Sequence, residues 1–218
     1  MELLGAVKVD NEEIYNFLKN IYNGEPTFSS LFIYSCLIAV TRGVTLNDCL
    51  ANFKPGEAHL ESMSRQLNAL DSRNNDKGEY KADGIIKLYR MKKIELLLLE
   101  SSGSLNNKAK SKINYDHHNG IYGSLTMLKT VADIFCFASI ECFKVFKIYF
   151  LQAEEENLEI LRTFDDKHDH LPNLIQFWWR VKALVTESVK VISKLSEEHI
   201  VIEQTLDISI IPLIFYIC

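Results

Sequence analysis

Residues 80–102 constrain this chain more than any other segment. Two strand candidates, 80–90 and 93–102, flank a short break at Met91 and Lys92, and the second carries Ile94, Leu96, Leu97, Leu98 and Leu99. A short apolar run bounded by polar residues reads as a buried strand, and two such runs so close together pair as a hairpin. Carboxylates bracket the pair. Lys81-Ala82-Asp83-Gly84 opens the first strand, and Glu100-Ser101-Ser102-Gly103 closes the second.

Register decides what those carboxylates can do. With the turn at Met91 and Lys92, Asp83 lies opposite Glu100 on one face, with Cβ atoms roughly 4.5–5.5 Å apart. Lys81 then falls opposite Ser102. The same register sets Leu88 against Glu95 and Arg90 against Lys93, which are poor pairs. A slip of one residue makes Lys87 and Glu95 an ion pair but moves Asp83 opposite Leu99. The turn lacks the Asn-Gly or Asp-Gly signal that pins a register, so both remain open.

The other elements follow from periodicity and capping. Asp10 to Glu13 forms a capping box before Ile14, Phe17, Leu18 and Ile21, which predicts a first amphipathic helix ending at Gly24. The apolar stretch 31–50 is long enough to favour helix, and 57–70 reads as another. Asp116 is expected to cap a helix to about residue 137, with Ile121, Leu125, Leu128, Ala132 and Phe135 on one stripe. Residues 143–151 and 158–164 read as a hairpin around the acidic turn at 154–157. Pro172 opens a helix to about Glu198 with Leu174, Trp178, Val181, Val185, Val189, Ile192 and Leu195 at helical spacing. This order predicts one α/β domain over 1–218. Its core spans about 57–165, with a helical segment at 1–56, the C-terminal helix 172–198 and an apolar tail at 206–218. The tail reads as an edge strand, a partner-covered segment or a chain cut short.

Charge and cysteine content limit the function classes. The net charge is −5 over 218 residues, ordinary for a globular protein and no mark of a nucleic-acid binder. Yet residues 79–129 hold nine Lys or Arg against five acids, so that segment is positive within an acidic chain. Such asymmetry suits either an anion-facing surface or a solvated face. The five cysteines show no CxxC pair or metal-finger spacing. With no secretory leader pattern at the N-terminus, they predict a reduced intracellular protein, cytoplasmic or nuclear. No apolar run reaches the eighteen or so residues of a membrane span.

Helix, strand with Asp83, strand ending at Glu100, helix, strand resembles the core of the PD-(D/E)XK nuclease-like superfamily. There an acidic residue on one strand is followed by Glu-x-Lys at the end of the next. Asp83 matches the first acid, and Glu100-Ser101-Ser102 matches Glu-x-Lys except at its last position. More loosely, Lys81 to Gly84, Leu97 to Ser102 and Asp116-His117-His118-x-Gly120 are similar to effector-like fungal proteins with a degenerate core of this kind. The resemblance implies a restriction-endonuclease-like α/β fold, a small mixed sheet flanked by helices. It also implies Mg²⁺ held by Asp83 and Glu100 as hard oxygen ligands. Serine at 102 supplies no positive charge, which implies a degenerate, non-catalytic or weakly active protein that binds nucleic acid. Lys81 is the first candidate to replace the missing ammonium, and Lys112 or Lys129 could do likewise. Arg90, Lys92, Lys108, Lys110 and Lys112 are the candidate nucleic-acid contacts. The alternatives are an active Mg²⁺-dependent nuclease using Asp83, Glu100 and Lys81, or a module that docks a protein partner through its C-terminal helix or tail.

Other constellations read more plainly. His117 and His118 are adjacent rather than one helical turn apart, so they suit a surface or site rim rather than a zinc pair. His168-Asp169-His170 sits in an acidic stretch expected to be a solvated loop. Cys136 and Cys142 lie in apolar sequence and are expected to pack in the core. Trp178 and Trp179 lie about 100° apart on a helix, so one faces the core and the other borders solvent.

Overall fold

The computed structural model describes residues 33–44, 49–70, 80–101, 110–153 and 167–215. In chain order these form α1 (Tyr34–Arg42), β1 (Ala51–His59), α2 (Glu61–Leu70), β2 (Lys81–Leu88) and β3 (Ile94–Ser101). They continue with α3 (Lys110–Ile134), α4 (Ile140–Val145), β4 (Tyr149–Ala153) and α5 (Lys167–Phe215). The first helix expected from sequence, the second half of the 143–164 hairpin and Ser102 lie outside the described residues.

The strands form one mixed sheet in the order β1-β2-β3-β4. The first three run antiparallel in sequence order, and β4 joins β3 in parallel after the chain has crossed through α3 and α4. Parallel pairing requires such a crossover, because a tight turn can only reverse the chain. Every residue of β3 is buried, as expected for a strand covered on both faces. On one face Ile85 and Leu98 cluster with Leu60, before α2, and Met127 of α3. On the other, Ile86, Leu97 and Leu99 cluster with Leu37 and Val40 of α1 and Val185, Val189 and Ile192 of α5.

The hairpin uses both registers left open by the sequence. Gly84 pairs with Leu99 and Ile85 with Leu98, the register that sets Asp83 level with Glu100. Beyond an irregularity between Ile86 and Lys87, Lys87 pairs with Glu95 and Leu88 with Ile94. One extra residue in β3 thus satisfies both the outer carboxylate pair and the inner ion pair, the geometric effect of a β-bulge. The turn is wider than expected, with Lys92 at φ 52° and Lys93 at φ 57°.

Several expectations are corrected. Residues 51–59, read as a break between two helices and the start of the second, form β1. It is an edge strand that buries few side chains and carries Pro55, Gly56 at φ 60° and Glu57 at φ 46°. Edge strands tolerate proline and bulges, which hide them from alternation-based reading. Residues 140–145 form a helix, so the strand expected from 143 begins only at Tyr149. Ser139 caps that helix by accepting a hydrogen bond from the Cys142 amide at 3.3 Å. The backbone from Lys167 is helical, so His168 to His170 are not in a loop, and the same helix continues through Phe215 in place of an edge strand. Cys142 is buried as expected, but Cys136 is exposed.

The C-terminal helix behaves as its periodicity predicts. Leu174, Val185, Val189, Ile192 and Leu195 are buried. Trp178 is half-buried, whereas Trp179 is exposed with the Lys182 ammonium 4.7 Å from its ring centroid. Among the described residues, no helix is long and apolar enough to cross a membrane.

Candidate active site

The end of the β2–β3 hairpin farthest from its turn gathers the ionisable groups singled out by sequence. Asp83, on β2, accepts two hydrogen bonds on Oδ2 from Ser101, 2.7 Å from the backbone amide and 2.6 Å from the hydroxyl. These fix the carboxylate against the last residue of β3. Glu100 is buried on β3 and accepts a hydrogen bond from the Tyr80 hydroxyl.

A third carboxylate arrives from α3. Asp116 is not the N-cap expected from sequence but lies inside the helix, buried. Burial pushes Glu100 up to about 8, and the negative charges of Asp83 and Asp116 push in the same direction. The Tyr80 hydrogen bond and the charge of Lys112 oppose that rise. Burial and the neighbouring Glu100 carboxylate also raise Tyr80. Desolvation and neighbouring negative charge thus act together on Glu100 and Tyr80. Such clustering marks functional-site candidates.

Helix α3 approaches closely because two glycines lie on its buried face. Asp116, Gly120, Gly123, Met127, Thr130 and Val131 are buried, whereas Ile121, Leu125 and Leu128 of the expected apolar stripe are exposed. A Cβ on Gly120 would collide with the Phe150 ring, and one on Gly123 would lie 2.7 Å from Leu98 Cδ2. The glycines thus let the helix backbone sit against β3 and β4. Lys112, Asp116 and Gly120 lie one turn apart in sequence, a signal that could have placed Asp116 on the sheet-facing side.

Lys81 does not join this cluster. Its ammonium forms an ion pair with Glu57 of β1 at 3.5 Å, and its side chain is 50% exposed. Lys129 pairs with Asp133 instead. The positive charge of Lys112, by contrast, acts on Glu100 and opposes the rise in its pKa. The candidate nucleic-acid contacts also separate. Arg90 and Lys92 occupy the hairpin turn, about 23 Å along the strand from Asp83 at roughly 3.3 Å per residue. Lys110 and Lys112 open α3 at the carboxylate end, and Lys108 lies outside the described residues.

A second polar group, on the same sheet face nearer the turn, is structural. Lys87 is 2% exposed and reaches Glu61 Oε1 at 2.5 Å and Glu95 Oε1 at 4.0 Å. Glu95 in turn accepts the Glu61 and Ser62 amides, both at 2.9 Å, and so caps the start of α2. A carboxylate at a helix N-terminus satisfies orphan amides and complements the helix dipole. Lys87 neutralises it.

Asp83 and Glu100, with the negative charge of Asp116 acting on Glu100, form a hard, anionic oxygen set suited to a single Mg²⁺ that keeps several waters. The raised pKa of Glu100 reflects burial and crowded negative charge, and a cation would relieve the crowding. Among the described residues, no three His, Cys, Asp or Glu side chains stand together as a ready-made metal cage. No protein-family model, curated protein or solved structure matches the chain.

Proposed function

We propose that this chain is a PD-(D/E)XK nuclease-like protein acting on nucleic acid, with Asp83 and Glu100 as the ligands of one Mg²⁺. In this reading Lys112 supplies the ammonium that Ser102 does not. The observation that carries it is the hairpin register that sets Asp83 level with Glu100, the first held by Ser101 and the second by Tyr80, with the charges of Asp116 and Lys112 acting on Glu100. The element order supports it: a helix, a strand bearing Asp83, a strand bearing Glu100, a helix and a further strand.

Each residue has a definable part. Asp83 is held in place by Ser101 rather than left to rotate. Glu100 must be ionised to bind a cation, and Tyr80 favours that form. Lys112 balances the three carboxylates and offers a positive charge to a phosphate. Bound Mg²⁺ in such a site lowers the pKa of its water and stabilises charge on the scissile phosphate.

The test is divalent-cation-dependent cleavage of DNA and RNA. Asp83→Ala and Glu100→Ala are expected to abolish it and Lys112→Ala to reduce it at least tenfold, while Lys81→Ala leaves it within about twofold, since general acid–base or charge contributions are of order 10²–10⁴-fold. Activity surviving both carboxylate substitutions eliminates the site.

Serine at 102 favours a second reading, a non-catalytic nucleic-acid binder on the same scaffold. It predicts salt-sensitive binding weakened by Lys110→Ala and Lys112→Ala, without cleavage.

A further inference from the structure

The outward side of α3 carries features that the carboxylate site does not use. Tyr115 is 66% exposed and Tyr122 is 63% exposed, and exposed His118 lies between them. Positions 115, 118 and 122 follow the i, i+3, i+7 spacing that aligns side chains along one side of a helix. The two tyrosines are about 10.5 Å apart along the axis, at 1.5 Å per residue. Two largely exposed rings along one side of a helix form an apolar ridge.

Charge and position identify an occupant. From Lys110 to Leu128 the charged residues of α3 are Lys110, Lys112 and Asp116, and Asp116 is buried beside Glu100. The exposed charge of this stretch is therefore positive, in a chain of net charge −5. Tyr115 lies three residues after Lys112, about 60° around the helix, so the ridge begins one turn from a lysine on the helix that carries Asp116. Flat aromatic faces beside lysines suit a ligand with both π-faces and phosphates. Base stacking requires bases that are not already paired, which selects a single strand over a duplex.

We propose that the Tyr115–His118–Tyr122 ridge binds single-stranded nucleic acid by base stacking and leads its backbone past Lys112 to the carboxylate site. This rests on the nucleic-acid reading of that site. Stacking on tyrosine is sequence-tolerant, because every base has a π-face. The ridge therefore sets strandedness rather than sequence preference.

The test is fluorescence anisotropy of the full chain with a labelled single-stranded oligonucleotide, as DNA and as RNA, against a duplex of the same length, in EDTA so that no cleavage intervenes. The single strand is expected to bind more tightly than the duplex. Tyr115→Ala and Tyr122→Ala are each expected to weaken single-strand binding about tenfold, the equivalent of about 1.4 kcal/mol of lost stacking, with little change for the duplex. Tyr115→Trp and Tyr122→Trp are expected to retain it. Circular dichroism checks that the variants fold, as expected for exposed positions. Variants that bind like wild type, or a preference for duplex, overturn the ridge. So does a change in sedimentation of the variants without a change in binding, which would make the ridge a protein contact. Binding with no divalent-dependent cleavage leaves the ridge standing and removes only the catalytic reading. Cleavage that is insensitive to the tyrosines removes only the ridge.

Discussion

Tyr80 donates a hydrogen bond to the Glu100 carboxylate at the end of the hairpin remote from its turn. The bond favours ionised Glu100, while burial and the negative charges of Asp83 and Asp116 oppose ionisation. Tyr80→Phe removes the favourable contribution and leaves the unfavourable ones. Glu100 is then expected to titrate above about 8, and affinity for Mg²⁺ or Mn²⁺ at neutral pH to fall. Calorimetric titration of wild type and variant measures this, and equal affinities would show that Glu100 does not ligate the cation.

Stability should depend on pH through the same residue. The folded chain holds Glu100 at about 8, above its ordinary value of 4.5. Between those values the folded state keeps a proton that the unfolded state has lost. The contribution of Glu100 is therefore present at low pH and lost as pH rises through about 8. Thermal denaturation from about pH 5 to about pH 9 is expected to show this decline, and Glu100→Gln to flatten it. Added Mg²⁺ should restore stability at the alkaline end if it binds the ionised carboxylate.

The Lys87–Glu61–Glu95 group predicts a different behaviour. Lys87→Met leaves the buried carboxylate of Glu95 without its cation, and breaking such a pair costs about 3–5 kcal/mol. Adding Glu95→Gln removes the uncompensated charge and is expected to recover part of the loss. Urea denaturation of the two single variants and the double variant gives the coupling directly. Independent, additive effects would contradict the arrangement.

Gly120→Ala should disturb the site from a distance. The added methyl meets the Phe150 ring, and overpacking of this kind costs about 1–3 kcal/mol. It also pushes α3 away from β4 and carries Asp116 and Lys112 with it. Phe150→Leu in the same chain is expected to recover stability, a rescue readable by thermal denaturation. If the single Gly120→Ala variant melts like wild type, the helix does not sit this close.

The hairpin, its two carboxylates and the buried stripe of α5 were legible in the sequence because each depends on contacts near in the chain. Apolar runs and a 3.6-residue period report local burial whatever the rest of the fold does. The mixed register was not legible. Each uniform register left one pair unsatisfied, and only a local irregularity between Ile86 and Lys87 accommodates both. The edge strand β1 leaves no alternation in the sequence because it buries few side chains and contains Pro55 and Gly56. The stripe Ile121, Leu125 and Leu128 faces outward for the opposite reason. Hydrophobicity pointed one way, but close approach to the sheet required the glycine face.

The sequence alone determined that Asp83 and Glu100 bracket a buried hairpin, that serine stands at 102 and that the long C-terminal helix packs along its apolar stripe. Tertiary structure alone decided that Asp116 is a buried carboxylate inside a helix rather than a helix cap, that Lys81 turns to Glu57 and that the charge of Lys112 acts on Glu100. These outcomes depend on groups distant in sequence being brought together at one end of the sheet. Spacing along a single strand or helix carries no record of that distance.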